Sequence, residues 1–120
     1  MRILLIDDDV FFQKFYATKL REKGFEVHVA SDGVEGIKKA KAVKPDIILL
    51  DIIMPKMDGF EVLKAFASDN EIRNTPVLVF STLGQEQEVK KALALGARDY
   101  TNKTFFDFDN LIRKIASLIK

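Results

Sequence analysis

The chain has 120 residues and a formal net charge of +1, with 48% hydrophobic residues, 31% charged residues and no cysteine. This length suits one domain spanning residues 1–120, with a core large enough to stand without staples. The balanced charge argues against direct nucleic-acid binding, and the lack of cysteine excludes disulfides, thiolate metal sites and cysteine nucleophiles. No apolar stretch approaches the ~20 residues of a membrane span. Met1-Arg2 leads straight into a strand, so no membrane partner is expected and the expected compartment is the cytoplasm.

Residues 2–6 predict a first strand, Ile3-Leu-Leu-Ile6, which ends at Asp7, Asp8 and Asp9. Residues 10–23 predict a helix with Phe11, Phe12, Phe15, Tyr16 and Leu20 as its apolar face, Asp9 as N-cap and Gly24 as its stop. Residues 25–30 alternate apolar and polar, as a strand near a sheet edge does. After the turn Ser31-Asp32-Gly33, the residues Val34, Ile37, Ala40, Ala42 and Val43 recur at helical spacing up to Pro45. Residues 46–50 form the central strand, whose run Ile47-Ile-Leu-Leu suits burial on both faces and ends at Asp51. A loop through Met54 to Gly59 precedes a short helix over 60–67, and 69–75 reads as polar loop. Val77 to Phe80 is another buried strand, closing at Ser81-Thr82. A helix over 85–95 stops at Gly96, and a last strand over 97–101 is followed by Asn102, Lys103 and Thr104. The final helix carries Phe108, Leu111, Ile112, Ile115, Leu118 and Ile119, and the phenylalanines at 11, 12, 15, 105, 106 and 108 read mostly as core, with some of them available for a partner surface.

Five strands alternating with five helices give an α/β fold, a doubly wound parallel sheet with right-handed crossovers. In such a sheet the strand C-termini share one edge, and ligands bind just beyond it. Asp7, Asp8 and Asp51 therefore converge. Carboxylates gathered there repel one another unless a cation or protons relieve them, and an oxygen-only ligand set suits Mg²⁺. With the hydroxyl of Ser81 and the cation of Lys103 at neighbouring strand ends, this is an inventory for phosphoryl chemistry, with Asp51 as the natural nucleophile. Singly, each residue has a plainer reading: a solvated turn for the aspartates, a helix cap for Ser81, a packing aromatic for Tyr100, a solvated lysine for Lys103. His28 lies far from this edge and reads as an ordinary, partly buried histidine.

The motifs Asp7-Asp8, Leu50-Asp51-Ile52-Ile53-Met54-Pro55 with Asp58-Gly59, Ser81, and Gly96-Ala97 with Tyr100 and Lys103 follow in order along the whole chain. The sequence resembles a receiver domain of a two-component response regulator, of the single-domain chemotaxis type. That resemblance implies the flavodoxin-like strand order 2-1-3-4-5. It implies phosphorylation of Asp51 by a sensor histidine kinase, a histidine phosphotransfer domain or a small phosphodonor. It implies Mg²⁺ on Asp8, Asp51 and the backbone carbonyl of Ile53, with Asp7 acting largely through water. Lys103 and Ser81 would contact the phosphoryl oxygens, and Tyr100 would act as the aromatic switch that turns inward when Ser81 moves. The readout surface for a downstream protein target would be the fourth helix, fifth strand and fifth helix, in a monomer or a weak phosphorylation-dependent dimer. Such a domain is a signalling switch rather than an enzyme.

Some positions depart from the family pattern. Thr104 replaces the usual proline after the lysine, Thr82 is larger than the residue common there, and Ile53 and Leu83 are apolar where the family modulates hydrolysis. Since neither side chain can orient a water, slow loss of the phosphoryl group is expected. Three other functions fit less well. A haloacid-dehalogenase-like phosphatase would need a second aspartate where Ile53 stands. A nucleotide- or flavin-binding domain would need a glycine-rich first loop instead of three aspartates. A pseudo-receiver serving as a phosphorylation-independent adaptor is the runner-up.

Overall fold

The computed structural model describes residues 1–54, 56–81, 85–102 and 107–119. The elements follow in the order β1 (Arg2–Ile6), α1 (Val10–Glu22), β2 (Glu26–Ala30), α2 (Gly33–Val43), β3 (Ile47–Leu50), α3 (Gly59–Ser68), β4 (Val77–Ser81), α4 (Glu86–Ala94), β5 (Asp99–Asn102) and α5 (Phe108–Leu118). All strand pairs are parallel, in the order β2-β1-β3-β4-β5. The alternating strand next to β1 is thus an edge strand, as its pattern predicts, and the apolar runs lie inside.

Alternation along each central strand divides the core between two faces. Leu4, Ile6, Ile48, Leu50, Val77 and Val79 pack against Ala40 of α2, Val62, Leu63 and Phe66 of α3, and Ala92 of α4. Ile3, Leu5, Ile47, Leu49, Leu78 and Phe80 pack against Tyr16 and Leu20 of α1 and Leu111 and Ile115 of α5. Each such fully buried side chain contributes about 1.5–3 kcal/mol relative to exposure. The same burial forbids a register slip, since a shift by one residue would exchange the two faces.

Aspartates begin four of the five helices, all but α4. Asp9 accepts from the amides of Phe11 and Phe12, Asp32 from Glu35, and Asp107 from Asn110. Asp58 and Glu61 form a reciprocal capping box at α3. The first helix ends at Gly24, whose φ of +93° is left-handed, and the fourth at Gly96 with φ +112°.

Several expectations needed correction. Phe11 is 74% exposed and Phe15 37%, so neither belongs to the core; the buried stripe of α1 is Tyr16, Ala17 and Leu20. At about 100° per residue, Phe11 lies about 140° around the helix from Tyr16. The two phenylalanines stack on each other instead, with centroids 6.4 Å apart. Phe12 and Phe108 do pack against the core, while Phe105 and Phe106 lie outside the described residues. Helix α2 buries Gly33, Gly36 and Ala40 and leaves Val34 exposed, because its backbone lies close on the sheet. A Cβ on Gly36 would come within 2.6 Å of Ile6. The stretch 69–75 is turn-like, yet it buries Ile72, and Asp69 pairs with Lys41 at 2.9 Å. Strand β5 starts two residues later than predicted and reaches Asn102, which pairs with Ser81.

Candidate functional site

The sheet delivers its acidic residues to one edge through register. Ile6 is opposite Leu50, so Asp7 and Asp51 emerge side by side from the central pair of strands. The Asp51 amide donates to Ile6 O at 2.9 Å, and the Asp7 amide to Ala30 O at 3.0 Å, which extends the ladder to the acidic residues themselves. Asp7 is 1% exposed and Asp51 5%, whereas Asp8 faces solvent. Each of the three offers a carboxylate oxygen, and these oxygens lie within 4.8 Å of one another. Two of the three carboxylates have lost most of their water, so their mutual repulsion is poorly screened.

Local bonds hold the cluster in place. Asp7 Oδ1 accepts from the Asp9 amide at 2.9 Å, and Asp51 Oδ1 from the Ile53 amide at 3.4 Å. Gln13 on α1 donates to the carbonyls of Asp7 at 3.0 Å and Ala30 at 3.3 Å, tying the ends of β1 and β2 together. Beneath Asp51, the Gly59 amide donates to Ile52 O at 2.9 Å, docking the start of α3 directly under the site. An all-oxygen set with two buried carboxylates and one exposed fits a small hard cation that keeps part of its water shell, as Mg²⁺ does. The residues fit that ion.

Ser81 ends β4 and is fully buried; it does not cap α4, whose N-cap is Gln85. Tyr100 on β5 is 9% exposed, and its hydroxyl is hydrogen-bonded with Ser81. Burial pushes the Tyr100 phenol above its ordinary pKa; the Ser81 bond works against this, and the charges of Glu88 and Asp51 add to it. The aromatic ring is therefore turned inward onto the strand-end hydroxyl. On its other side, Lys114 of α5 donates to Tyr100 O at 3.0 Å and lies 3.6 Å from Asp99. Neither Lys114 nor Glu88 was singled out from the sequence, where each reads as a surface charge on an amphipathic helix.

Ile53 is 51% exposed. Lys103, Thr104, Thr82, Leu83 and Pro55 lie outside the described residues. His28 is remote from the strand-end cluster: Nε2 is 2.7 Å from Glu26 Oε2, which Arg2 Nε also approaches at 3.2 Å. The His28 bond, more than the Arg2 charge, holds the Glu26 carboxyl below the usual range.

The model of the response regulator receiver domain matches residues 3–116. The chain belongs to the response regulator receiver family. It is 41% identical to the chemotaxis protein CheY of Treponema pallidum, over 99% of this chain and 83% of that protein. It is 35% identical to the DNA-binding regulator RpaA of Synechocystis, over 99% of this chain but only 49% of RpaA. Another relative is likewise matched over about half its length: the cell cycle response regulator CtrA of Brucella ovis, at 35% identity over 50% of that protein. Among solved structures, CheY in the CheX-CheY-BeF3-Mg complex of Borrelia burgdorferi superposes with a TM-score of 0.91 at 33% identity, covering 100% of this chain and 90% of that one. The Francisella response regulator 1452 receiver domain gives 0.90 at 34% identity, covering 98% and 95%. This receiver therefore serves phosphorylation-dependent two-component signalling, with an acidic pocket of the kind at which receivers bind Mg²⁺. No described helix is long and apolar enough to cross a membrane.

Proposed function

We propose that Asp51 is the phosphoryl acceptor and that this receiver works as a switch for a protein target. The observation that supports it best is the burial of Asp51 within 4.8 Å of carboxylate oxygens of Asp7 and Asp8. In the transfer, an Asp51 oxygen attacks the phosphorus of a phosphohistidine on a sensor kinase or phosphotransfer domain. The P–N bond breaks, a P–O bond forms, and the departing imidazole nitrogen keeps the electron pair. Asp8, Asp51 and the carbonyl of Ile53 would hold Mg²⁺, with Asp7 at one remove; the ion supplies charge neutralisation for the transferring group. Lys103 and the Ser81 hydroxyl would hold the phosphoryl oxygens. Ser81 is already bonded with Tyr100, so its movement toward a phosphoryl group bears directly on the ring. The face formed by α4, β5 and α5 would then carry the change to the target, as a shift in population between two arrangements.

The test is binding of beryllofluoride with Mg²⁺, read by amide NMR, in the wild type and Asp51→Asn. Shifts at Ser81, Tyr100 and α4, absent from the variant and without Mg²⁺, are expected. A folded wild type that gives no response would make this chain a phosphorylation-independent adaptor. The apolar Ile53, half exposed two residues after Asp51, has nothing with which to orient an attacking water. The acyl phosphate should therefore be long-lived, and a half-life of seconds in purified protein would refute that.

A further inference from the structure

Helix α4 packs on β5 through Val89 and Ala92, which join Tyr100 in one core cluster. Glu88 precedes Val89 and stands four residues before Ala92, so it shares the face turned toward the strand. Glu88 Oε2 is buried and, among the described residues, has no hydrogen-bond partner. Its charge nevertheless acts on the Tyr100 hydroxyl. That hydroxyl is engaged with Ser81 and does not bond Glu88 Oε2. A carboxylate oxygen stripped of water and given no donor is unfavourable, and the cost persists while the site stays covered. Its place in the first turn of α4, near the positive helix end, offsets only part of this.

We propose that Glu88 is a positioning residue that restrains the switch: the inward Tyr100 ring covers its carboxylate oxygen, and the resulting penalty biases the ring outward until phosphorylation repays it. Glu88 does not touch the phosphoryl site. It acts through Tyr100, setting how much of the receiver is switched before any phosphoryl group arrives. The link to signalling rests on the Asp51 reading; the link between Glu88 and the ring does not.

Two readouts separate these. The first is solvent accessibility of the Tyr100 ring, by relaxation from a soluble paramagnet in tyrosine-labelled protein, with buried Tyr16 as internal reference. In Glu88→Gln and Glu88→Ala, without any phosphoryl analogue, the ring should become less accessible than in the wild type. Glu86→Gln, on the exposed side of α4 where Glu86 pairs with Lys90, should leave it unchanged. The second is affinity for beryllofluoride with Mg²⁺, which should rise by about fivefold, equivalent to about 1 kcal/mol. In a Tyr100→Ala background, where no ring covers the carboxylate, the gain should vanish. An unchanged or more accessible ring in both Glu88 variants would overturn the proposal, leaving Glu88 as a helix-end charge only. A fall in affinity would overturn it too. If beryllofluoride fails to bind while the ring responds as expected, the Asp51 reading is wrong and the Glu88 restraint stands.

Discussion

Replacing Gly59 by alanine tests how tightly α3 is docked beneath the acidic site. A Cβ at this position would lie 2.5 Å from Asp51 O, 2.6 Å from Ile52 Cα and 2.7 Å from Ile52 Cδ1. The Ile52 side chain could swing aside, but the other two atoms are backbone. Relief must come from moving the start of α3 or the chain at Asp51 and Ile52, which also strains the Gly59 amide bond to Ile52 O. Overpacking costs about 1–3 kcal/mol and occasionally more, and clashes with backbone belong at the upper end. Alanine returns up to ~1 kcal/mol of helix propensity, less at a first helical position. A net loss of about 2 kcal/mol is expected, or roughly 6–10 °C in melting temperature for a domain of this size. Gly24→Ala is the control. At φ +93° with no atom within 4 Å, its added Cβ meets strain but no neighbour, at a cost of about 1 kcal/mol far from the site. Urea unfolding of both variants, paired with Mg²⁺ titration, separates the effects. Both should lose stability, and only Gly59→Ala should also weaken Mg²⁺ binding, because its strain falls on the residue carrying the ligand. A Gly59→Ala protein within about 0.5 kcal/mol of the wild type, binding Mg²⁺ normally, would refute the close docking.

Asp58→Ala removes the side-chain half of the α3 capping box, the bond from the Glu61 amide, while residue 58 keeps the backbone N–H that the Glu61 carboxylate accepts; a loss of about 1 kcal/mol in urea unfolding is expected. Phe11→Ser should change stability by no more than ~0.5 kcal/mol despite losing a phenyl ring, because that ring is exposed. Tyr16→Ala should instead cost about 3–5 kcal/mol, since Tyr16 is 1% exposed and meets Phe80 edge-on at 4.6 Å. Burial first, and the nearby Asp7 charge second, push the Tyr16 phenol up to about 12 from 10.0. Between those two values the unfolded chain has lost a proton that the native chain keeps, so stability must fall as pH rises through this window. The total is about 2–3 kcal/mol, fully present below pH ~10, and Tyr16→Phe should flatten that part of the stability–pH curve.

The parts of this fold legible in the sequence are those where one local pattern leaves one solution. Ile3 to Ile6, Ile47 to Leu50 and Val77 to Phe80 are too short and too apolar to be anything but buried strands in an alternating chain, and β1, β3 and β4 are the central three. Because parallel strands share an edge, the residues that end them, Asp7, Asp51 and Ser81, had to meet there. Asp9 caps its helix as predicted because a side-chain oxygen at that step satisfies amides that have no other partner, and Asp32 in its turn does the same; the Asp58 cap, within a stretch that reads only as loop, follows the same physics. What stayed hidden depends on the distance between elements rather than on pattern along one of them. Phe11 and Phe15 look like core because helical periodicity admits a wide apolar stripe, and only the placement of α1 on the sheet decides which edge of it is covered. Gly33 and Gly59 read as turn residues, yet a Cβ on either would come within 3 Å of a packed neighbour, so their lack of a side chain is a packing requirement.

Glu88 shows the same limit with the opposite chemistry. Nothing in Glu86-Gln87-Glu88 distinguishes one acid from the other, and both suit the first turn of a helix. Glu86 reaches out to Lys90, while Glu88 is partly buried and has one carboxylate oxygen covered without a hydrogen-bond partner. A carboxylate becomes a functional element at that position through its distance from Tyr100, a quantity set by how α4 leans on the sheet. The same reasoning separates two of the aromatic residues: the Tyr100 hydroxyl is bonded with Ser81, the link that the proposed switch requires, whereas Phe15, on an equally regular element, packs with Phe11, Tyr16 and Lys19.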